Sequence, residues 1–204
     1  MSPHPKDFKD DVIDAISECK SVCKVIHLPL QSGSSNVLNL MNRRYTKEQF
    51  LNLVDKIRNK IPDVTFTTDI IVGFPGETEE DFLDTLDVVS KVRFEQIFMF
   101  IYSVRKGTKA ETMPNHVPDK IKSERFNRLK ALADKITEEE NEKYVDTIQK
   151  VLVEGVSKTN SEVLTGRTKS YKVVNFVGDK SLIGKEVDIR VVSQHIWYLK
   201  GEII

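Results

Sequence analysis

Residues 65–80 read Thr-Phe-Thr-Thr-Asp-Ile-Ile-Val-Gly-Phe-Pro-Gly-Glu-Thr-Glu-Glu. An apolar, β-branched run ends in a glycine- and proline-containing loop, and the loop opens into the acidic first turn of a helix capped by Thr78. The same rhythm recurs on both sides. Apolar runs begin near residues 24, 65 and 96, with enough chain between them for a crossover helix each time. They are apolar on consecutive positions rather than alternating, which predicts a parallel sheet covered by helices, with all strand ends on one rim.

The intervening segments carry helical periodicity. Phe8, Val12, Ile16 and Cys19 mark a first helix. Thr46 and Gln49 form a capping box ahead of Phe50, Leu53, Val54 and Ile57, and Ile61-Pro62 closes that helix. Phe82, Leu86 and Val89 supply the stripe after Thr78. Beyond Pro114 and Pro118 a long helix is expected over 119–144. Ile121, Phe126, Leu129, Ala133 and Ile136 are its buried stripe, and Glu138, Glu139, Glu140 and Glu142 make a solvated far end.

From residue 147 the pattern changes. Short β-rich runs at 150–156, 163–168, 172–177, 186–192 and 196–199 are separated by Gly155, Gly166, Gly178 and Gly184. Such spacing fits a small closed or nearly closed barrel of the oligonucleotide-binding type. The fold class is therefore α/β followed by a small all-β barrel, with domains at 1–144 and 145–204.

Lys plus Arg equals Asp plus Glu at 31 each, so overall charge does not point to nucleic acid, although a local patch still can. No apolar run approaches 18 residues, and Met1-Ser2-Pro3-His4-Pro5-Lys6 is not followed by an apolar signal segment; a cytoplasmic protein without a membrane partner is expected. The two cysteines, Cys19 and Cys23, read as plain buried thiols, and two thiols by themselves do not complete a four-ligand metal or iron–sulfur site.

Polar residues gather at the expected strand ends: His27, Gln31 and Ser32 after the first, Asp69 and Gly73-Phe74-Pro75-Gly76 at the second, Tyr102, Ser103, Arg105 and Thr108 at the third. Gly73 and Gly76 allow close backbone approach to a ligand or simply make a tight turn; the loop lacks the lysine and spacing of a phosphate-binding loop. Asp69 in an apolar run either orients a ligand's hydroxyl or amine groups or caps backbone amides. His27 reads as a structural histidine or as a base. Over 146–204 nine basic residues face seven acidic ones, so the information is local: Arg167, Lys169 and Lys172 cluster beside Tyr171. The cluster reads as a phosphate-binding patch with a base-stacking ring, or as an ordinary solvated loop. No catalytic triad order, metal-binding histidine pair or complete cysteine cluster is present, so no catalytic and no metal residue is assigned.

Five further blocks carry a resemblance. They are Ser2-Pro3-His4-Pro5-Lys6-Asp7, His27-Leu28-Pro29-Leu30-Gln31-Ser32-Gly33-Ser34, Met41-Asn42-Arg43-Arg44-Tyr45-Thr46, Thr68-Asp69-Ile70-Ile71-Val72-Gly73-Phe74-Pro75-Gly76-Glu77-Thr78 and Tyr102-Ser103-Val104-Arg105-Lys106-Gly107-Thr108. In this order they resemble the carboxyl-terminal part of the radical S-adenosylmethionine (SAM) methylthiotransferases, MiaB type. Leu152-Val153-Glu154-Gly155, Thr165-Gly166-Arg167 and Ile183-Gly184 resemble the TRAM module, a small RNA-binding barrel. The Leu-Pro-Leu-Gln-Ser-Gly wording favours the tRNA branch over the relative that modifies a ribosomal-protein aspartate.

The resemblance implies a partial radical SAM (β/α) barrel joined to a TRAM barrel. It implies addition of a methylthio group to C2 of N6-isopentenyladenosine beside the tRNA anticodon, with SAM, a sulfur donor and two 4Fe-4S clusters, and no obligate protein partner. By the same analogy Gln31, Ser32, Asp69, Ile71, Gly73 and Arg105 lie around SAM or the substrate base, and Arg167, Lys169, Tyr171 and Lys172 hold tRNA.

The family's three-cysteine motif is absent, as are its amino-terminal cluster cysteines: Ile26 stands where Cys19 and Cys23 would need a third partner. The chain therefore reads as a fragment, and the alternative expectation is a catalytically inactive tRNA-binding piece.

Overall fold

The computed structural model describes residues 4–158 and 160–204. Ser2 and Pro3, which open the first matching block, lie outside the described residues. Contacts divide the chain into two compact units, Met1–Lys20 with Ile26–Ile136, and Ser21–Val25 with Thr137–Ile204.

The first unit contains α1 (Asp10–Glu18), most of β1 (Val25–His27), α2 (Ser35–Leu40), α3 (Lys47–Lys60), β2 (Thr65–Val72), α4 (Glu79–Val92), β3 (Gln96–Ile101) and most of α5 (Asp119–Glu142). The three strands form one sheet in the order β1-β2-β3, and β2 pairs with β3 in parallel, Asp69 opposite Phe98 and Ile71 opposite Phe100. The quoted stretch behaves as its chemistry dictates. The strand runs from Thr65 to Val72, and Thr78 accepts from the Asp81 amide while the Asp81 carboxylate accepts from the Thr78 amide, closing a capping box. Thr46 and Gln49 do the same for α3.

Helices cover one face of the sheet. Phe66, Ile70 and Val72 pack there with Ile13, Phe50, Val54, Ile57, Phe82, Val88 and Leu129. The other face is open: burial alternates along β2, leaving Thr67, Asp69 and Ile71 half-buried, and Phe98 and Phe100 on β3 are exposed. Runs apolar on consecutive positions predict cover that the described residues supply on one side alone.

Three details differ from expectation for physical reasons. The first strand stops at His27, because Pro29 has no amide to donate, and a single parallel bridge between Gln31 and Ile70 resumes the pairing. The unexpected α2 is nucleated by Ser34, whose hydroxyl accepts from the Val37 amide. On α5 the expected stripe holds at Leu129, Ala133 and Ile136, but in the first two turns Ile121 is exposed and Phe126 half-buried while Lys122 and Arg125 are buried, because ion pairing lets cations occupy the inward positions.

The second unit is a closed barrel. β4 (Ile148–Val156), β5 (Val163–Thr168), β6 (Val173–Val177), β7 (Glu186–His195) and β8 (Tyr198–Ile203) run in the order β4-β5-β6-β8-β7, and β7 returns to β4. The pair β6–β8 is parallel; the others are antiparallel. Alternate side chains fill the interior: Val151, Val153, Leu164, Val174, Phe176, Ile189, Val191 and Leu199. No helix among the described residues is long and apolar enough to cross a membrane.

Cys19 and Cys23 are exposed, not buried as expected: Cys19 follows the last turn of α1, where the helix stripe has already ended.

Candidate functional site

At the carboxyl ends of the strands of the first unit lies a cavity of about 700 Å³. Gln31, Asp69, Ile71, Phe74, Tyr102 and Arg105 are among its walls. Gln31 reaches it through a left-handed backbone (φ 65°) that turns the chain out of the sheet. A non-glycine residue there is sterically costly, and the surroundings hold it. The Gln31 amide donates to Asp69 O at 2.8 Å and its carbonyl accepts from Ile71 at 2.9 Å. Just upstream, the Tyr45 hydroxyl donates to the Pro29 and Leu30 carbonyls at 3.1 and 3.0 Å, and burial pushes that phenol up to about 12.

Asp69 stands on the open face of β2. His27 spans it and its neighbour two residues back, with Nε2 at 3.3 Å from Asp69 Oδ2 and Nδ1 at 2.9 Å from Thr67 Oγ1; its ring meets Phe98 edge-on. The period of two along β2 puts Thr67, Asp69 and Ile71 on one side. Tyr102 Oη is buried with no hydrogen-bond partner among the described residues. A buried orphan hydroxyl in a cavity wall awaits a polar ligand atom or water.

Two of the expected site residues do not face the cavity. Ser32 is buried, with its hydroxyl accepting from the Ser34 amide at 3.2 Å and lying 3.4 Å from Thr85 Oγ1. Gly73 (φ 79°) is walled by the Lys122 side chain, where an added Cβ would come within 2.4 Å of Cγ. Both hold the wall from behind. The Gly73 amide donates to Glu77 Oε1 at 3.0 Å, and Arg125 Nη1 donates to the same oxygen at 2.7 Å. Burial raises the Glu77 carboxyl above its ordinary range, against the lowering pull of these two donors. Asp81 shows the opposite balance: burial pushes it up, yet hydrogen bonds from Ser34, Thr78 and Asn36 prevail and hold it low.

The expected basic cluster lies in the second unit at the β5–β6 turn. Arg167 stacks its guanidinium over the Tyr171 ring at 4.1 Å, and its Nε donates to Glu154 at 3.1 Å. Tyr171 is exposed, in a left-handed turn conformation (φ 69°), and Lys169 is exposed at the same turn. Lys172 turns inward instead. It is buried, its ammonium donates to Asn141 Oδ1, and burial pulls it down to about 8. Beneath the turn the hydroxyls of Tyr144, Ser170 and Thr168 form a chain, at 2.9 and 2.8 Å. Neither Tyr144 nor Asn141 carries a sequence signal for this role; each is a polar residue near the end of an acidic helix.

Among the described residues no group of three or more His, Cys, Asp or Glu side chains comes together to hold a metal ion. The donor set does not fit a 4Fe-4S cluster: the chain has two cysteines, and both are exposed. This corrects the leading expectation from the resemblance. Methylthio transfer to N6-isopentenyladenosine through two clusters is not a reaction that these residues carry.

Comparison with known proteins matches residues 1–89 to the Radical SAM superfamily and residues 142–204 to the TRAM domain. Among curated relatives, the tRNA-2-methylthio-N(6)-dimethylallyladenosine synthase of Acetivibrio thermocellus is 54% identical over 201 residues, covering 98% of this chain and 42% of that protein. The enzyme of the same name from Fusobacterium nucleatum is 55% identical over 204 residues, covering 100% of this chain and 47% of that protein. The chain thus spans less than half the length of these relatives. Among solved structures, coproporphyrinogen III oxidase (HemN) from Escherichia coli aligns with a TM-score of 0.55 at 17% identity, over 82% of this chain and 45% of that one. That likeness is one of fold.

Proposed function

Since this chain carries a radical SAM segment and a TRAM domain strongly homologous to the MiaB-type tRNA-2-methylthio-N(6)-dimethylallyladenosine synthases, we propose that it is a tRNA-binding chain that does not carry out methylthio transfer by itself. The observation that carries this reading is the β5–β6 turn of the closed barrel, where an exposed cation and an exposed ring stand together: Lys169 and Arg167 suit phosphates, and Tyr171 suits an unstacked base. We place it in the cytoplasm and assign the barrel domain to 145–204.

The cavity of the first unit suits SAM, which when bound brings the sulfonium chemistry of its superfamily. Ile71 and Phe74 offer apolar walls to an adenine. Asp69, steadied by His27, accepts from ribose hydroxyls or an α-amino group, the orphan Tyr102 hydroxyl takes a polar partner, and Arg105 faces a carboxylate. Ser32 and Gly73 act by holding Gln31 and the Gly73–Gly76 loop in place.

The test has two arms. Anaerobic iron–sulfur reconstitution of the chain is expected to give neither stoichiometric clusters nor methylthio transfer to tRNA, while the same preparation binds tRNA. Stoichiometric clusters with turnover, or absence of tRNA binding, would overturn the proposal.

A further inference from the structure

The barrel has a second feature at the end that bears the Arg167–Tyr171 turn. In the parallel pair of β6 and β8, Val174 lies opposite Leu199, so the two strands start at the same end of the barrel. The β5–β6 and β7–β8 turns therefore emerge side by side. Asn141, 1% exposed, ties them together: its Oδ1 accepts from Lys172 and its Nδ2 donates to His195 O at 2.7 Å.

The tip of the β7–β8 hairpin is Ile196-Trp197, closed by the facing pair His195 and Tyr198. Tight hairpins favour Gly, Asn or Asp at such positions, for backbone reasons. Neither tip residue has a positive φ, so turn geometry does not explain an indole there. Burial does not explain it either, because Trp197 is 67% exposed. Behind it the His195 and Tyr198 rings stack at 4.5 Å with 24° between their planes. An exposed indole next to a stacked ring pair, on the rim that also carries Arg167, Lys169 and Tyr171, has the composition of a platform for unpaired bases beside a strip of cations.

We infer that the β7–β8 tip is a second base-stacking site, with Trp197 receiving a nucleobase of single-stranded RNA whose neighbouring phosphates face Arg167 and Lys169. The inference rests on the RNA-binding reading of the barrel and names a subsite within it. Stacking is sequence-tolerant, so this subsite contributes affinity for a loop over a duplex and little discrimination between bases.

Trp197 is the one tryptophan in the chain, so intrinsic indole emission reports on this position alone. The full chain is titrated with a fluorescently labelled anticodon stem–loop RNA and, separately, with an RNA duplex of the same length, following RNA anisotropy and protein emission together. Expected results are quenching of Trp197 by the stem–loop but not by the duplex, a loss of affinity of about tenfold in Trp197→Ala, and near-wild-type affinity in Trp197→Phe. Because the side chain is exposed, both variants are expected to keep the far-ultraviolet spectrum of the parent. Stem–loop binding with unchanged indole emission and an unaffected Trp197→Ala would overturn this inference and leave the Arg167–Tyr171 reading standing. Failure of the parent chain to bind the stem–loop would overturn both.

Discussion

Arg125 Nη1 lies 2.7 Å from Glu77 Oε1, with both side chains withdrawn from water, and the same carboxylate oxygen accepts from the Gly73 amide. An ion pair made inside the protein thus fixes the glycine loop that borders the cavity. Desolvation offsets much of the attraction in such a pair, but removing one partner leaves an uncompensated charge. Arg125→Met is expected to cost about 3–5 kcal/mol in urea unfolding. The Glu77→Gln, Arg125→Met double variant is expected to lose less than the sum of the two single changes. Additive losses would show that the two groups act independently.

Gly73 is placed by two constraints at once, a left-handed backbone and the Lys122 side chain where a Cβ would stand. Gly73→Ala is expected to destabilise the chain by about 1–3 kcal/mol. Gly107 has the same φ with nothing within 4 Å of its Cβ position, so Gly107→Ala bears the backbone cost alone and is expected to be milder. Equal effects in thermal unfolding would count against the packing argument.

Lys172 makes a pH-dependent contribution. Its folded ammonium titrates at about 8, below the ordinary 10.5, so between those values the unfolded chain binds more protons. Stability is then expected to rise as pH climbs from about 8 to 10.5, by on the order of 3 kcal/mol. Below pH 8 the term is constant. Lys172→Met is expected to flatten this rise in chemical denaturation; an identical pH profile in the variant would refute the burial argument.

Asp69 is expected to contribute to ligand affinity through a charge-assisted hydrogen bond. Isothermal titration with S-adenosylhomocysteine should show a loss of about tenfold in Asp69→Asn. His27→Ala should give a smaller loss, since it acts by orienting Asp69. Unaltered affinity in Asp69→Asn would remove Asp69 from the cavity's polar set.

Much of this was legible in residue order. Thr65–Val72, the caps at Thr46 and Thr78, the long helix from Asp119 and the existence of five barrel strands follow from hydroxyl caps and β-branched runs, whereas Gly155 and Gly166 lie inside β4 and β5 rather than between strands, and the last strand runs over 198–203 instead of 196–199. What escaped depends on tertiary partners. That Arg125 is buried on α5 reflects Glu77, which waits on another element, and Lys122 is buried where its stem packs against Gly73. A carboxylate in an apolar run needs a partner, which singles out Asp69, but that the partner is His27 follows from strand pairing. Sequence proximity groups Lys172 with Arg167 and Lys169; the alternation of the barrel sends it inward to Asn141. Ile196 and Trp197 read as the start of a strand because their side chains are β-formers, but the His195–Tyr198 pairing makes them the turn of the β7–β8 hairpin.

The central claim, that the rim of the barrel holds tRNA through cations and rings, is tested most directly by the salt dependence of tRNA affinity. For the parent chain, log K is expected to fall linearly with log salt, and in the Arg167→Ala, Lys169→Ala double variant the slope is expected to shrink by about 0.7–0.9 per lost phosphate contact, with weaker binding at every salt concentration. An unchanged slope and affinity in the double variant would contradict the account.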